Sequence, residues 1–82
     1  MKIKVLTFAS LADAWGKKEA VMEFDRAALT AGDVLDALLA GRAELERYRP
    51  VLRLARNGEL VGPGAPLRDG DEVALLPPVS GG

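Results

Sequence analysis

Cysteine and histidine are both absent from the 82-residue chain. Without cysteine there is no disulfide, no thiolate metal ligand and no thiol nucleophile, and without histidine the usual general base at neutral pH is missing. Aromatic residues are scarce as well: Phe8, Trp15, Phe24 and Tyr48 are the whole complement, too few to stack a row of bases or a flat cofactor. Nor is there an excess of positive charge. Eleven basic residues are scattered among twelve acidic ones, for a formal net charge of -1, so no concentrated patch is available to neutralise nucleic-acid phosphates. No apolar run approaches the roughly 20 residues that span a bilayer, and the strand-like amino end lacks the apolar core of a signal peptide. The expected compartment is therefore cytoplasmic, with no membrane partner. The aliphatic hydroxyls Thr7, Ser10, Thr30 and Ser80 are weak nucleophiles without a positioned base. Catalysis by side chains is close to excluded, and any chemistry here needs another reactive group.

What is present fits one small soluble domain. Of the residues, 49% are apolar and 28% charged, ordinary globular proportions, and the length allows a single core built largely of Leu and Val. Residues 2–8 (KIKVLTF) alternate as a strand, with Ile3, Val5 and Thr7 on one face and Lys2, Lys4, Leu6 and Phe8 on the other. Residues 9–16 suit one or two helical turns closed by Gly16, with Leu11 and Trp15 on one side. Residues 20–25 alternate Ala20, Met22 and Phe24 against Val21 and Glu23 as a second strand, paired to the first in a hairpin.

Thr30 and Asp33 form a capping-box pattern ahead of Val34, Leu35, Leu38 and Leu39, which recur at helical spacing until Gly41. Residues 42–49 suit a polar helical piece that Pro50 terminates. A third strand is expected over residues 51–56, and Asn57 and Gly58 supply a tight hairpin turn into a short strand at residues 59–61. Gly62, Pro63, Gly64 and Pro66 break regular structure, and the turn at residues 69–71 leads into a last strand over residues 72–76. Two strands, a helix, then two or three strands predict an α+β fold: a mixed sheet packed on one main helix, with the last strand returning beside the first. That is the ubiquitin-like beta-grasp arrangement. The expected core is Ile3, Val5, Val34, Leu35, Leu38, Leu39, Leu52, Leu54, Val73 and Leu75.

The chain then divides into a beta-grasp domain over residues 1–76 and an extended tail over residues 77–82, PPVSGG. Pro77 and Pro78 fix φ and favour an extended course, which lowers the entropy lost when a partner threads the tail. Six residues at about 3.3 Å each reach roughly 20 Å. Gly81 and Gly82 lack side chains, so a narrow channel can close on their backbone. A diglycine alone reads equally well as a frayed terminus. Its specificity comes from its place: at the end of the sequence, behind a rigid Pro-Pro, directly off a strand in a ubiquitin-like order.

In these features the chain resembles the MoaD family, the sulfur-carrier small subunits of molybdopterin synthase. The likeness runs along essentially the whole length, through the opening strand into Phe8 and Ala9, residues 11–16, residues 69–73 (DGDEV) and the terminal PPVSGG. The resemblance implies that a ubiquitin-activating-like adenylating enzyme uses ATP to adenylate the Gly82 carboxylate. Sulfur then replaces the adenylate, and the Gly82 thiocarboxylate enters the catalytic large subunit of molybdopterin synthase, in molybdenum cofactor biosynthesis. Gly82 is thus the reacting residue, and Leu6, Phe8, Pro77, Pro78, Val79, Ser80 and Gly81 are the candidate partner-binding residues. The resemblance thus implies a sulfur donor with no side-chain active site and no permanently bound cofactor or metal. A terminal carboxyl with a reference pKa near 3.5 is a stable anion and a poor electrophile until activated, and the lack of Cys leaves the carried sulfur no internal thiol to exchange with.

Other readings of the same residues stay open. The fold and diglycine equally suit a sulfur carrier for thiazole synthesis or tRNA thiolation, a ubiquitin-like protein modifier, or an interaction module with an inert tail. Leu6 and Phe8 either form an exposed apolar docking patch or are covered by the first helix or the tail, and Lys2 and Lys4 read as solvated strand lysines. The acidic run at residues 69–72 reads as turn chemistry, since it lacks the further ligands of a calcium loop. Gly58, Gly62 and Gly64 do not open a helix and no Gly-Lys-Ser or Gly-Lys-Thr follows, so no nucleotide site is implied.

Overall fold

The computed structural model describes residues 1–76. In chain order the elements are β1 (Lys2–Thr7), α1 (Ala9–Trp15), β2 (Glu19–Glu23), α2 (Ala31–Leu39), α3 (Ala43–Glu46), a 3-10 turn (Arg49–Val51), β3 (Arg53–Arg56), β4 (Glu59–Val61) and β5 (Glu72–Leu76). The five strands form one mixed sheet in the order β2-β1-β5-β3-β4, with β5 parallel to β1 and antiparallel to β3. This is the beta-grasp arrangement expected from the order of elements.

The inward faces follow the strand alternation. Ile3, Val5 and Thr7 of β1, Val73 and Leu75 of β5 and Leu54 of β3 are buried, and α2 lays Val34, Leu35, Leu38 and Leu39 among them. Thr7, the buried polar residue of this layer, donates its hydroxyl to the carbonyl of Lys17 at 2.9 Å, so its burial leaves no orphan group. Helix α1 adds Leu11 and Trp15, and Gly16 closes it at φ 88° with an N–H bond to the Ala12 carbonyl.

The start of α2 is fixed twice. The Thr30 hydroxyl accepts from the Asp33 N–H and the Asp33 carboxylate accepts from the Thr30 N–H, the reciprocal capping box read from the sequence. The loop before β5 then straps across the same turn: the Gly32 N–H bonds the Pro63 carbonyl and the Leu67 N–H bonds the Leu29 carbonyl. At Gly32 an added Cβ would meet Pro63 at 3.0 Å, so the glycine is needed for close approach. Thr30→Ala is expected to cost about 0.5 to 2 kcal/mol in urea unfolding at pH 7. The backbone bond from Thr30, with help from its hydroxyl and from Arg26, holds the Asp33 carboxyl below its ordinary 3.8. A depressed carboxylate pKa stabilises the fold above the unfolded value and loses that effect as pH falls through the folded one. The gap in unfolding midpoint between wild type and Asp33→Ala should therefore be full at neutral pH and narrow below about pH 4; a gap independent of pH would refute the role given to the carboxylate.

The segment between α2 and β3 departs from expectation. Pro50 does not simply end a helix over residues 42–49; it sits inside the 3-10 turn, where its fixed φ fits and its missing N–H costs nothing. β3 accordingly begins at Arg53, two residues later than expected. Leu45 of α3 is fully buried and joins the core, although its neighbours Glu44, Glu46 and Arg47 are exposed. Asp36 is exposed and pairs with Arg49 at 2.6 Å, and Arg49 bonds Glu46 as well. These carboxylates raise the already high pKa of the guanidinium and tie α2, α3 and the 3-10 turn together. Leu52 is only half-buried, because it precedes the sheet and has no strand opposite it, while Leu11, Trp15, Leu29 and Leu67 complete the core.

Candidate functional site

Register decides where the tail leaves the body. Leu75 pairs with Thr7 across the parallel β1–β5 ladder, and Leu76 pairs with Arg53 across the antiparallel β3–β5 ladder. The chain therefore leaves the sheet at the edge where β1 ends, between Thr7 on one side and Arg53 on the other. Residues 77–82, including the sequence-predicted Pro77, Pro78, Val79, Ser80, Gly81 and Gly82, lie outside the described residues.

The same registers build a surface on the sheet face opposite α2. Glu19, Leu6, Ala74, Ala55 and Leu60 stand opposite one another in sequence across all five strands. The row is apolar apart from Glu19. Its two alanines lie between the longer side chains of Leu6 and Leu60, which makes the middle of the face a shallow saddle. Leu60 is 61% exposed and Val21, one row away, 66% exposed. Ala55 in the middle of the row is buried and Leu6 and Ala74 are half-buried, so the exposed apolar area lies mainly at Leu60 and Val21. Exposed apolar area of this kind, when contiguous, marks an interaction site.

Phe8 closes the exit edge. It follows the last residue of β1 and occupies the N-cap position of α1, where its carbonyl accepts from the N–H groups of Leu11 and Ala12. Ala9 then takes φ 51°, a left-handed conformation that a non-glycine residue adopts at a cost. This turn swings the chain off the strand into α1 and leaves Phe8 45% exposed. Leu6 and Phe8 line a shallow apolar cleft of about 270 Å³ with Thr7, Lys18 and Glu19. The two apolar candidates from β1 are thus brought together at the tail exit, and the first helix does not cover Phe8. Alternation alone placed Phe8 on the strand; it is the helix cap that aims it.

Sequence reasoning missed Val21, Ala55, Leu60, Ala74 and Arg53 as members of this region. Each is unremarkable along the chain, and only the pairing of strands distant in sequence assembles them. The acidic turn is built as turn chemistry. The Asp71 carboxylate accepts from the Arg68 N–H and from the Asn57 side chain, contacts that lower its pKa, and the Asp69 carboxylate accepts from the Lys2 N–H. Lys4 pairs with Glu19 at 3.3 Å.

The comparisons with known proteins bear on the family and the fold. Residues 5–82 match the ThiS family. The molybdopterin synthase sulfur carrier subunit of Chlamydomonas reinhardtii is 39% identical over 84 residues that cover all of both chains. Small archaeal modifier protein 1 of Haloferax volcanii is also 39% identical, over 83 residues covering 92% of this chain and 94% of that protein. Among solved structures, a protein–protein complex of subunits 1 and 2 of molybdopterin-converting factor from Helicobacter pylori contains a chain that superposes with a TM-score of 0.71 at 28% identity, covering the whole of both chains. A match running from β1 through Gly82, with relatives of this likeness, bears out the resemblance to the MoaD carriers, and the chain belongs to the ThiS family.

Proposed function

We propose that this chain is the sulfur-carrier subunit of molybdopterin synthase, and that its working group is the carboxyl of Gly82. One observation carries the reading: a diglycine tail follows directly on β5, whose parallel pairing with β1 launches it beside the apolar cleft of Leu6 and Phe8. The name of the Chlamydomonas relative and the two-subunit Helicobacter complex support it.

In this reading a carboxylate oxygen of Gly82 attacks the α-phosphorus of ATP on an adenylating enzyme and releases pyrophosphate. Hydrosulfide, or its equivalent delivered by a sulfur donor together with a thiol reductant, then attacks the acyl carbon, AMP leaves, and the thiocarboxylate remains. On the catalytic subunit the thiocarboxylate sulfur bonds to the pterin precursor and displaces an oxygen leaving group. Water then cleaves the bond between that sulfur and the Gly82 carbonyl carbon, so that the sulfur stays on the precursor and the carboxylate is regenerated. Acids, bases and oxyanion donors come from the partners, since the carrier has no Cys or His. ATP belongs to the activating enzyme, and the working compartment is the cytoplasm, where these partners act. The apolar saddle and Phe8 dock the body while Pro77, Pro78, Val79, Ser80 and Gly81 line the threaded segment.

The direct test is intact-mass spectrometry after incubation with ATP, the adenylating enzyme and a sulfur source. A mass increase equal to replacement of one oxygen by sulfur, localised to Gly82, is expected; an unchanged terminus under conditions that load a known carrier would refute the proposal. A second reading, a protein modifier, is favoured by the likeness to the Haloferax modifier protein; it predicts isopeptide adducts between Gly82 and lysines of other proteins in cells. Docking has its own test. Phe8→Asp should raise Kd for the catalytic subunit about tenfold or more with little change in melting temperature, because Phe8 lies outside the core cluster. Equal affinity of mutant and wild type in calorimetry would remove Phe8 from the interface.

A further inference from the structure

Three exposed cations flank the edge at which β5 ends. On one flank, Lys17 and Lys18 are held against the end of β1 by two bonds: the Thr7 hydroxyl to the Lys17 carbonyl at 2.9 Å and the Thr7 N–H to the Lys18 carbonyl at 2.8 Å. On the other flank, Arg53 stands opposite Leu76, the last residue before the tail. Lys17, Lys18 and Arg53 are all exposed. The carboxylate of the cleft, Glu19, is already paired with Lys4 at 3.3 Å. Among the described residues, the ion pairs of the fold use Lys4, Arg26 and Arg49, and leave these three cations without a carboxylate in contact. Lys17 instead sits over the Trp15 ring, 5.2 Å from its centroid. The opposite end of the sheet is mixed, with Glu23, Glu59, Asp69 and Asp71 beside Lys2, Arg56 and Arg68.

We infer that Lys17, Lys18 and Arg53 form a cationic rim around the tail exit, and that it meets an acidic rim on the catalytic large subunit that receives the tail. The inference rests on the sulfur-carrier reading and adds to it the electrostatic character of the partner's entrance. An apolar centre formed by Leu6 and Phe8 with charges at its edge has the layout of a protein interface, and a chain of net charge -1 has no general attraction for a polyanion. Exposed rim charges act mainly on encounter, by steering, and only weakly on the lifetime of the complex. The tail enters a channel only if the body arrives in the correct orientation, so orienting charges belong where these stand.

Stopped-flow association of the full chain with the large subunit of molybdopterin synthase from the same organism, at low and at physiological ionic strength, tests this. Lys18→Glu with Arg53→Glu should slow association by about tenfold or more at low salt and flatten or invert its salt dependence, with dissociation much less affected. Lys2→Glu with Arg68→Glu makes the same change of net charge at the far end and should alter the rate by no more than about twofold. The neutral pair Lys18→Gln with Arg53→Gln should shift the rate in the same direction by less, and covers the case in which the reversed pair folds poorly. Equal slowing by the near and far pairs, or by neither, overturns the rim while leaving the carrier reading intact. Failure of the wild type to bind removes the carrier reading, and the rim with it.

Discussion

Deleting Gly82 should abolish sulfur transfer while leaving the melting curve where it was. The described core is closed by residues up to Leu75, and a terminal glycine has no side chain to add to it, so the fold should have no need of Gly82. The reacting carbon does. One residue of extended chain is about 3.3 Å, and a misplacement of about 1 Å already costs on the order of a hundredfold in rate. The deletion should therefore cost more than two orders of magnitude in single-turnover transfer. One residue appended after Gly82 should be equally damaging, since it turns the reactive carboxyl into a peptide bond and places the new terminus beyond the reacting position. Gly81→Val should fold and still fail, because a β-branched side chain restricts the backbone and widens a segment shaped for a narrow channel. The measurement is single-turnover transfer by each variant beside its melting curve. A folded deletion variant with near-normal transfer would end the carrier proposal.

The parts of the fold legible in the sequence are those governed by neighbours along the chain. Thr30 and Asp33 announce the start of α2 because the capping box needs only a four-residue spacing. Asn57 at φ 50° and Gly58 at φ 87° announce the β3–β4 hairpin because few residues tolerate that conformation. The alternation of Ile3, Val5 and Thr7 identifies the inward face of β1 for the same local reason.

What was not legible depends on partners far away. Leu45 lies in a four-residue helix too short to show a periodicity, and its burial follows from α3 packing against α1 and α2. Pro50 signals a break by its chemistry, yet its surroundings make the break a 3-10 turn that carries the chain two residues further before β3 begins. The apolar row across the sheet is the extreme case. Leu6, Ala74, Ala55 and Leu60 are spread over four strands, and a shift of one residue in any ladder would scatter them to opposite faces. The candidate site thus has two kinds of part: a tail readable from its residues, and a platform readable only from register. The strained Ala9 joins them, since its φ of 51° turns Phe8 out at the edge where the tail departs.

Leu38→Ala should be among the most damaging substitutions in the body of the protein. Leu38 is 1% exposed and stands on the inward face of α2, packed in a cluster that draws on β1, β3 and β5 as well as α1 and α3. Removing its buried methyl groups forfeits their transfer free energy and leaves a cavity that a close-packed core refills only in part. The expected cost is about 2 to 5 kcal/mol, against a total of about 5 to 15 kcal/mol for a domain of ordinary stability. In a domain of this size each kcal/mol lowers Tm by about 4 to 8 °C, so a fall of about 10 °C or more should be visible in a melting curve. Leu52→Ala, at a half-buried position outside the sheet, serves as the control and should cost markedly less. Equal losses for the two variants would mean that burial does not rank them, and an unchanged Tm for Leu38→Ala would remove α2 from its place as the helix on which the sheet is packed.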